Sequence, residues 1–468
     1  MRPIQYQPPS YQEIPGIQGA VTIREFKGVN QFDPLSIADS FFTDVRNIST
    51  ENYPAASVRK GYEVLGGAIG TRVLGLGVWK STELHAVFND GSWRRWNGTA
   101  WTTLKTGLNT NRRWSFTNFQ GNWPNIRLVG SNGIDPIQYY DGVGLSDLEN
   151  APSNGDFITT YQNRLWCAVG QELHSCALDQ PEEWELFNGD DEDSYQKTIE
   201  STAGDDIIML SGGLNKLTIG MRHSIHELYG GVPSDFTTKL ITEDVGVEHN
   251  HAVVTQDGSM RIMNEIGIYE YSGGVLPDKT FSDSVKDYLL GVSGNSTAGS
   301  DGHRLYFSVG TDLTLVYDPR PGIQGWSAYE ISAVAFVKMG ERFFIGDTNG
   351  RVLEFGNSAR DDSQPISWIA ITKPFNNSSV AQLQRWYKMW VVVTLPTGST
   401  INVSLSPSVT GEDWELVQSV AGSGVRKQRI IIPVAKMANE NHIRIKLDGT
   451  GPCTIHEITR QQRALPLY

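Results

Sequence analysis

A hydrophobic hairpin recurs along this chain and constrains its fold more than any other feature. In each copy a short apolar strand meets a turn of Gly, Asn or Asp, and a second strand follows that ends in an aromatic residue. Residues 82–96 (TELHAVFNDGSWRRW), 299–317 (GSDGHRLYFSVGTDLTLVY) and 339–355 (MGERFFIGDTNGRVLEF) are three examples. Between residues 71 and 372 such units return about every 40 residues. One unit cannot bury its own apolar face, so several must pack side by side. That predicts a β-propeller, with four antiparallel strands per blade.

Seven units are read from the pattern. The first covers 71–108, with strands near 73–80, 83–89 and 92–96; the others cover 109–145, 151–187, 205–245, 249–288, 299–329 and 331–372. The DG, NG and GG pairs between alternating runs are strong hairpin signals. Residues 280–290 (TFSDSVKDYLL) have helical spacing and a cap-like start, which predicts a short helix inserted between blades. Ahead of the propeller, the Pro- and Gln-rich residues 1–20 read as an extended arm. Residues 21–70 read as an extended lead-in with one helical turn near 36–42. After residue 373 the runs lengthen, at 386–395, 400–406, 428–434 and 442–447. Their β-branched, alternating character predicts a C-terminal β-sandwich over 373–468. The expected fold class is all-β, a propeller of about seven blades followed by a sandwich.

With 39% hydrophobic and 19% charged residues in 468, the composition is that of a globular chain rather than a disordered one. No apolar run is long enough for a transmembrane helix, and the N-terminus lacks the apolar segment of a signal peptide. Three cysteines make no disulfide framework, which suits a reducing cytoplasm; Cys167 and Cys176 could bridge a hairpin or simply be small buried residues. The net charge of −13 is uneven, because residues 373–468 hold 11 Lys and Arg against 6 Asp and Glu, and the remainder 28 against 46. An acidic body repels nucleic acid.

Catalytic signatures are missing: there is no GxSxG elbow, no P-loop, no HExxH and no CxxC. His223, His226 and Glu227 look metal-like, but i and i+3 on a strand point to opposite faces. His249 and His251 share a strand face with only Glu248 near them. The acidic run 188–193 (NGDDED) could gather carboxylates around calcium but lacks the ligand order of an EF-hand, so it reads as a solvated loop. No catalytic residue, metal centre, cofactor or enzymatic activity is predicted. Arg385, Trp386 and Lys388 open the first long strand of the C-terminal module. They read either as an edge strand with snorkelling cations or as a docking surface, since Trp and Arg anchor interfaces.

The segments FKGVN (26–30), Asp39, Arg46 with Asn47, RKGYEVL (59–65), SIHELYGG (224–231), IYEYSG (268–273) and LVYDPRPGIQGW (315–326) are the ones that carry a family likeness. Through them the chain resembles the tail hub or nozzle proteins of tailed double-stranded DNA bacteriophages, the packaged-DNA stabilisation proteins. The resemblance implies a structural virion protein assembled in the host bacterial cytoplasm, a ring commonly of six copies below the portal and adaptor. It implies as partners other copies of itself, the head–tail adaptor, and distal needle, plug or fibre proteins, with DNA passing through the lumen. A second reading comes from the thirteen tryptophans, with Trp93, Trp96 and Trp101 clustered, and from the NDGSW turn (89–93), which faintly resembles the Asp-box of sialidases. It would make the chain a carbohydrate-binding or carbohydrate-active propeller.

Overall fold

The turn at residues 89–91 shows how a blade forms. The Asn89 side chain accepts the amides of Thr71 and Arg72 at 2.8 and 3.0 Å, and Gly91 adopts a φ of 78°. Glycine tolerates this left-handed conformation without steric cost, so Glu83–Phe88 folds back on Ser92–Trp96. Val73–Trp79 adds on the inner side and Trp101–Lys105 on the outer, giving a four-stranded antiparallel blade.

The computed structural model describes residues 20–310, 312–376 and 381–465, and the N-terminal arm read at 1–20 falls outside them except for exposed Ala20. Among the described residues, seven such sheets follow one another, opening with inner strands Val73–Trp79, Ser115–Phe119, Asp156–Tyr161, Ile207–Ser211, Val253–Gln256, Thr297–Ser300 and Ala335–Met339. The inner strands touch in order around a circle. The 3-10 turn Asn250–Ala252 bridges the fourth and sixth blades beside the fifth, and the seventh inner strand returns to the first. The chain is an all-β protein containing a seven-bladed β-propeller.

Apolar residues fill the gaps between blades. Leu74, Val87 and Trp93 of the first blade meet Trp114, Leu128 and Tyr140 of the second, and Trp93 lies edge-on to Trp114 and Phe116 at 5.3 and 5.1 Å. Such aromatic pairs contribute roughly 0.5–1.5 kcal/mol each beyond their buried area. Trp96 and Trp101 pack in the gap between the first and seventh blades.

Four departures from the sequence reading concern the ends of blades and the limits of domains. The fifth blade has only three strands, because Pro277 cannot donate to a ladder; a single bridge, Glu270 to Asp278, marks the missing fourth. The short helix expected after it is present, as the kinked 3-10 segment Asp283–Gly291. Near 36–42 there is no helical turn: the Asp33 carboxylate and carbonyl gather the amides of Leu35, Ser36 and Ile37 into a tight turn that goes no further.

The lead-in is not merely extended. Gly61–Val64 is the fourth strand of the seventh blade, paired with Val352–Ser358 in the register Val64 to Leu353 and Tyr62 to Phe355. Four earlier strands, Val21–Ile23, Phe42–Arg46, Ile48–Ser49 and Ala56–Val58, belong to the sandwich. So does Ser367–Thr372, read from sequence as the end of the propeller. One sandwich sheet is built on Gln384–Thr394 and Thr454–Ala464, the other on Arg444–Thr450 and Thr400–Ser406. The propeller is therefore inserted into a sandwich that the chain begins, leaves and completes. Their apolar interiors are continuous: Met263, Ile268 and Leu305 of the fifth and sixth blades share one core with Val391, Ile401 and Leu447.

Candidate functional site

The segments that carry the family likeness gather at two joints of this architecture. At the first, the lead-in crosses from sandwich to propeller. Val29 donates its amide to the Trp326 carbonyl at 2.8 Å, at the outer strand of the sixth blade, Gly325–Tyr329. Gly28 has a φ of 94°, and a Cβ there would stand 2.1 Å from the Trp326 oxygen, so only glycine fits. Phe26 stacks on Phe42 at 5.5 Å, and Asp39 pairs with Arg460 at 2.7 Å, tying the lead-in to the last strand.

Asn47 is the hub of this joint. It is buried, with a φ of 57° that asparagine tolerates better than most residues. Its amide nitrogen donates to Glu330 Oε2 at 3.0 Å and to the Ser367 carbonyl at 2.8 Å. Its Oδ1 accepts from Arg59 Nε at 2.8 Å and from the Glu330 amide at 2.9 Å. Arg59 in turn forms a bidentate pair with Asp361, at 2.8 and 2.6 Å. Asp318 accepts from Thr50 at 2.9 Å and Arg320 Nη2 at 2.7 Å; burial would raise its carboxyl, and these bonds overcome burial and hold it below its ordinary value. Arg46 lies over the ring of Tyr288 at 4.8 Å; burial and the neighbouring Asp44 raise that phenol.

The second joint lies between the fourth and fifth blades. Glu227, in Ile225–Tyr229, is fully buried and accepts from the hydroxyls of Tyr229 and Tyr271, from Lys216 at 3.2 Å and from the Gly274 amide at 3.2 Å. Burial would raise its carboxyl, and the two phenols lead in pulling it down. A carboxylate with this many donors is a structural tie. His226 lies on the opposite face of the strand, against the Ser224 hydroxyl at 3.0 Å, and exposed His223 pairs with Asp205 at 2.8 Å. His249 caps the 3-10 turn before the fifth blade and His251 lies within it, so the two do not share a strand.

The acidic run 188–193 sits in the long loop before Tyr195–Thr198, and a cation holds it. Arg164, fully buried, donates to the carbonyls of Cys176 and Asp191 at 2.9 and 2.8 Å and to that of Asp193, while Asp193 Oδ2 accepts the Gly189 and Asp190 amides. The guanidinium fastens the backbone of the loop, while Asp190, Asp191 and Glu192 stay exposed, in line with the solvated loop read from the sequence. Cys167 and Cys176 are free, buried thiols, the latter pushed up to about 12 by burial.

Trp386 is 2% exposed and donates to the Glu440 carbonyl at 3.0 Å inside the sandwich, so it is a core residue and no interface anchor. Its strand is central rather than an edge, flanked by Thr454–Ala464 and Gln428–Ile432. Arg385 and Lys388 do reach the outer face, where Arg385 pairs in register with Arg463 and Ile431 is 64% exposed on the neighbouring strand with Arg429. The tryptophans behind the carbohydrate reading are packed away: Trp93 is fully buried, and Trp96 and Trp101 are half-buried against each other at 5.3 Å.

No protein-family model matches the chain, and no curated protein does. Among solved structures it is similar to the WD40 β-propeller domain of Doa1 (13% identity, 64% of this chain and 98% of that one, TM-score 0.39). It is similar also to YCF48 bound to D1 peptide (10%, 67% and 100%, 0.43) and to BamB from Moraxella catarrhalis (7%, 67% and 98%, 0.41). The assignment of the propeller rests on its own strand pairing.

Proposed function

We propose that this chain is a structural subunit of a bacteriophage tail, a hub or nozzle that forms a ring, extends the DNA channel below the portal and adaptor, and helps retain packaged DNA. The observation that carries this reading is the pair of joints. The residues of the family likeness, scattered over some 300 positions by number, are those that fasten propeller to sandwich and blade to blade. A likeness at such positions is a likeness of architecture. Charge supports it: residues 61–358 hold 21 Lys and Arg against 38 Asp and Glu, a surface from which DNA slides. The outer face of the sandwich keeps Arg385, Lys388, Arg429 and Arg463 as a docking surface for the adaptor.

In this reading DNA runs between copies of the chain, because Arg113 of the second blade bonds the Ser296 and Val334 carbonyls at the start of the sixth and seventh blades and so occupies the axis. The test is light scattering on the purified chain, alone and mixed with adaptor rings from the same genome. A chain that becomes a ring of about six copies on the adaptor supports the proposal; a chain that ignores every adaptor, or is absent from purified virions, overturns it.

A further inference from the structure

The propeller axis holds a concentration of positive charge that the rest of this acidic blade ring does not prepare for. At the end where the inner strands begin, a cavity of about 570 Å³ is lined by residues from six of the seven blades. Arg72 enters it from the first blade, Arg112 and Arg113 from the second, and His249 and His251 from the turn before the fifth. Of the three acidic groups in its wall, two are paired and the third is exposed. Asp156 pairs with Arg112 at 2.8 Å, Glu248 pairs with Arg222 at 2.7 Å, and Asp206 is exposed.

Arg72 and Arg113 have no carboxylate partner among the described residues. A guanidinium carries five N–H donors. Arg113 places donors on the carbonyls of Ser296, at 3.0 Å, and Val334, and Arg72 on Asn295 Oδ1 at 2.8 Å. The Nε of each is buried without an acceptor. Neither carbonyl nor amide neutralises the charge. Burial, and then Arg72, lower the Arg113 guanidinium to about 9.

His249 sharpens the case. Its Nδ1 accepts the His251 amide at 3.2 Å, so in the neutral ring the proton sits on Nε2. Burial, and then Arg113, push this imidazole down to about 3, so it is neutral at ordinary pH, with only the Ser293 backbone favouring a charge. Its Nε2 lies 3.5 Å from Arg113 Nη1, and the Ser293 backbone accepts a hydrogen bond from the ring.

We propose that this axial cavity is an oxyanion site, with Arg72 and Arg113 as its charged ligands and the neutral His249 ring beside them. Its ligand is a small group bearing two or more oxygens and a negative charge, of the phosphate or carboxylate class, the former free in solution and the latter also available from an acidic side chain. Two guanidinium forks recognise that geometry. The inference stands apart from the virion reading, since it needs only the propeller.

Crystals of the full chain soaked in selenate test it directly. An anomalous peak within hydrogen-bonding distance of Arg72 and Arg113 is expected, and an empty cavity at saturating selenate overturns the site. In solution, sulfate stabilises most proteins by exclusion, so the reading is the difference between the parent chain and R72Q at matched ionic strength. Arg72 makes one side-chain bond, to Asn295, so this variant leaves most of the wall in place. Selenate affinity by calorimetry should fall about tenfold or more in R72Q; equal affinity in both chains overturns the proposal. Glutarate that displaces the selenate peak assigns a carboxylate ligand, and retention of the peak assigns a tetrahedral one.

Discussion

Asn47 carries more of this architecture than any other side chain, because four bonds from one amide serve three parts of the chain. In Asn47→Ala the Arg59 Nε and the Glu330 amide lose their acceptor in a buried place, and alanine must hold a positive φ. The expected loss is about 3–5 kcal/mol, read as a lower midpoint in denaturant. Asn47→Gly relieves the backbone and leaves the same unmet donors, so it should recover about 1 kcal/mol of that loss. An alanine variant as stable as the parent would show that the joint is held elsewhere. Arg164 makes a second test. Arg164→Met removes the cation from the carbonyls of the 188–193 loop, and limited proteolysis should then cut there, with calcium giving no protection. Neither role was legible in the sequence. Asn47 stood out only as part of a likeness, and the acidic run read as a solvated loop with no sign of what anchors it, because Arg164 lies more than twenty residues upstream.

Elements were legible in proportion to how much each reports on itself. Strands near 73–80, 83–89 and 92–96 were expected, and Val73–Trp79, Glu83–Phe88 and Ser92–Trp96 are observed, because alternation and the turn chemistry are local. The outer strands, such as Leu145–Asp147 and Tyr195–Thr198, are short, polar and exposed, and alternation says little about them. Least visible were elements whose partners are distant in sequence: Val21 pairs with Arg460, and Gly61–Val64 closes a blade begun 270 residues later. The axial arginines were equally hidden, although basic residues just before inner strands, as at Arg72 and Arg113, were a signal available once blades were aligned. The closing strand makes a prediction. Tyr62→Pro would remove an amide and restrict the backbone in a strand flanked by Val352–Ser358 and Arg360–Asp361. The amides of residues 352–358 should exchange at least about tenfold faster, with those of the third blade unchanged. Unchanged protection in 352–358 would mean that the seventh blade holds without its borrowed strand.

Insertion of a closed ring into a split sandwich makes the molecule depend on many neutral, dry contacts at once, and that dependence sets its response to acid. His85 is fully buried between the first two blades. Trp93 donates to its Nδ1 at 3.0 Å, and its Nε2 lies 2.9 Å from Glu83. Burial, and then Arg95, lower this imidazole to about 3, against about 6.5 in an unfolded chain. Between those values the unfolded chain binds the proton and the folded one does not, so folding is favoured fully above pH 6.5 and loses ground as pH falls toward 3. One such histidine costs about 1.4 kcal/mol per pH unit within that window. Carboxylates held low, such as Asp318 and Glu227, act in the same direction, but only as pH approaches their own range near 4. The interval from pH 6.5 to 4.5 therefore belongs to the buried histidines. His85→Gln should lower stability at pH 7.5, since the amide cannot fill the ring's place, and should flatten the fall between pH 6.5 and 4.5 by about 1.4 kcal/mol per unit. Urea midpoints for both chains across that range decide it. Parallel curves would place the proton uptake at other groups, His249 first among them, and selenate bound at the axis would then shift both curves alike.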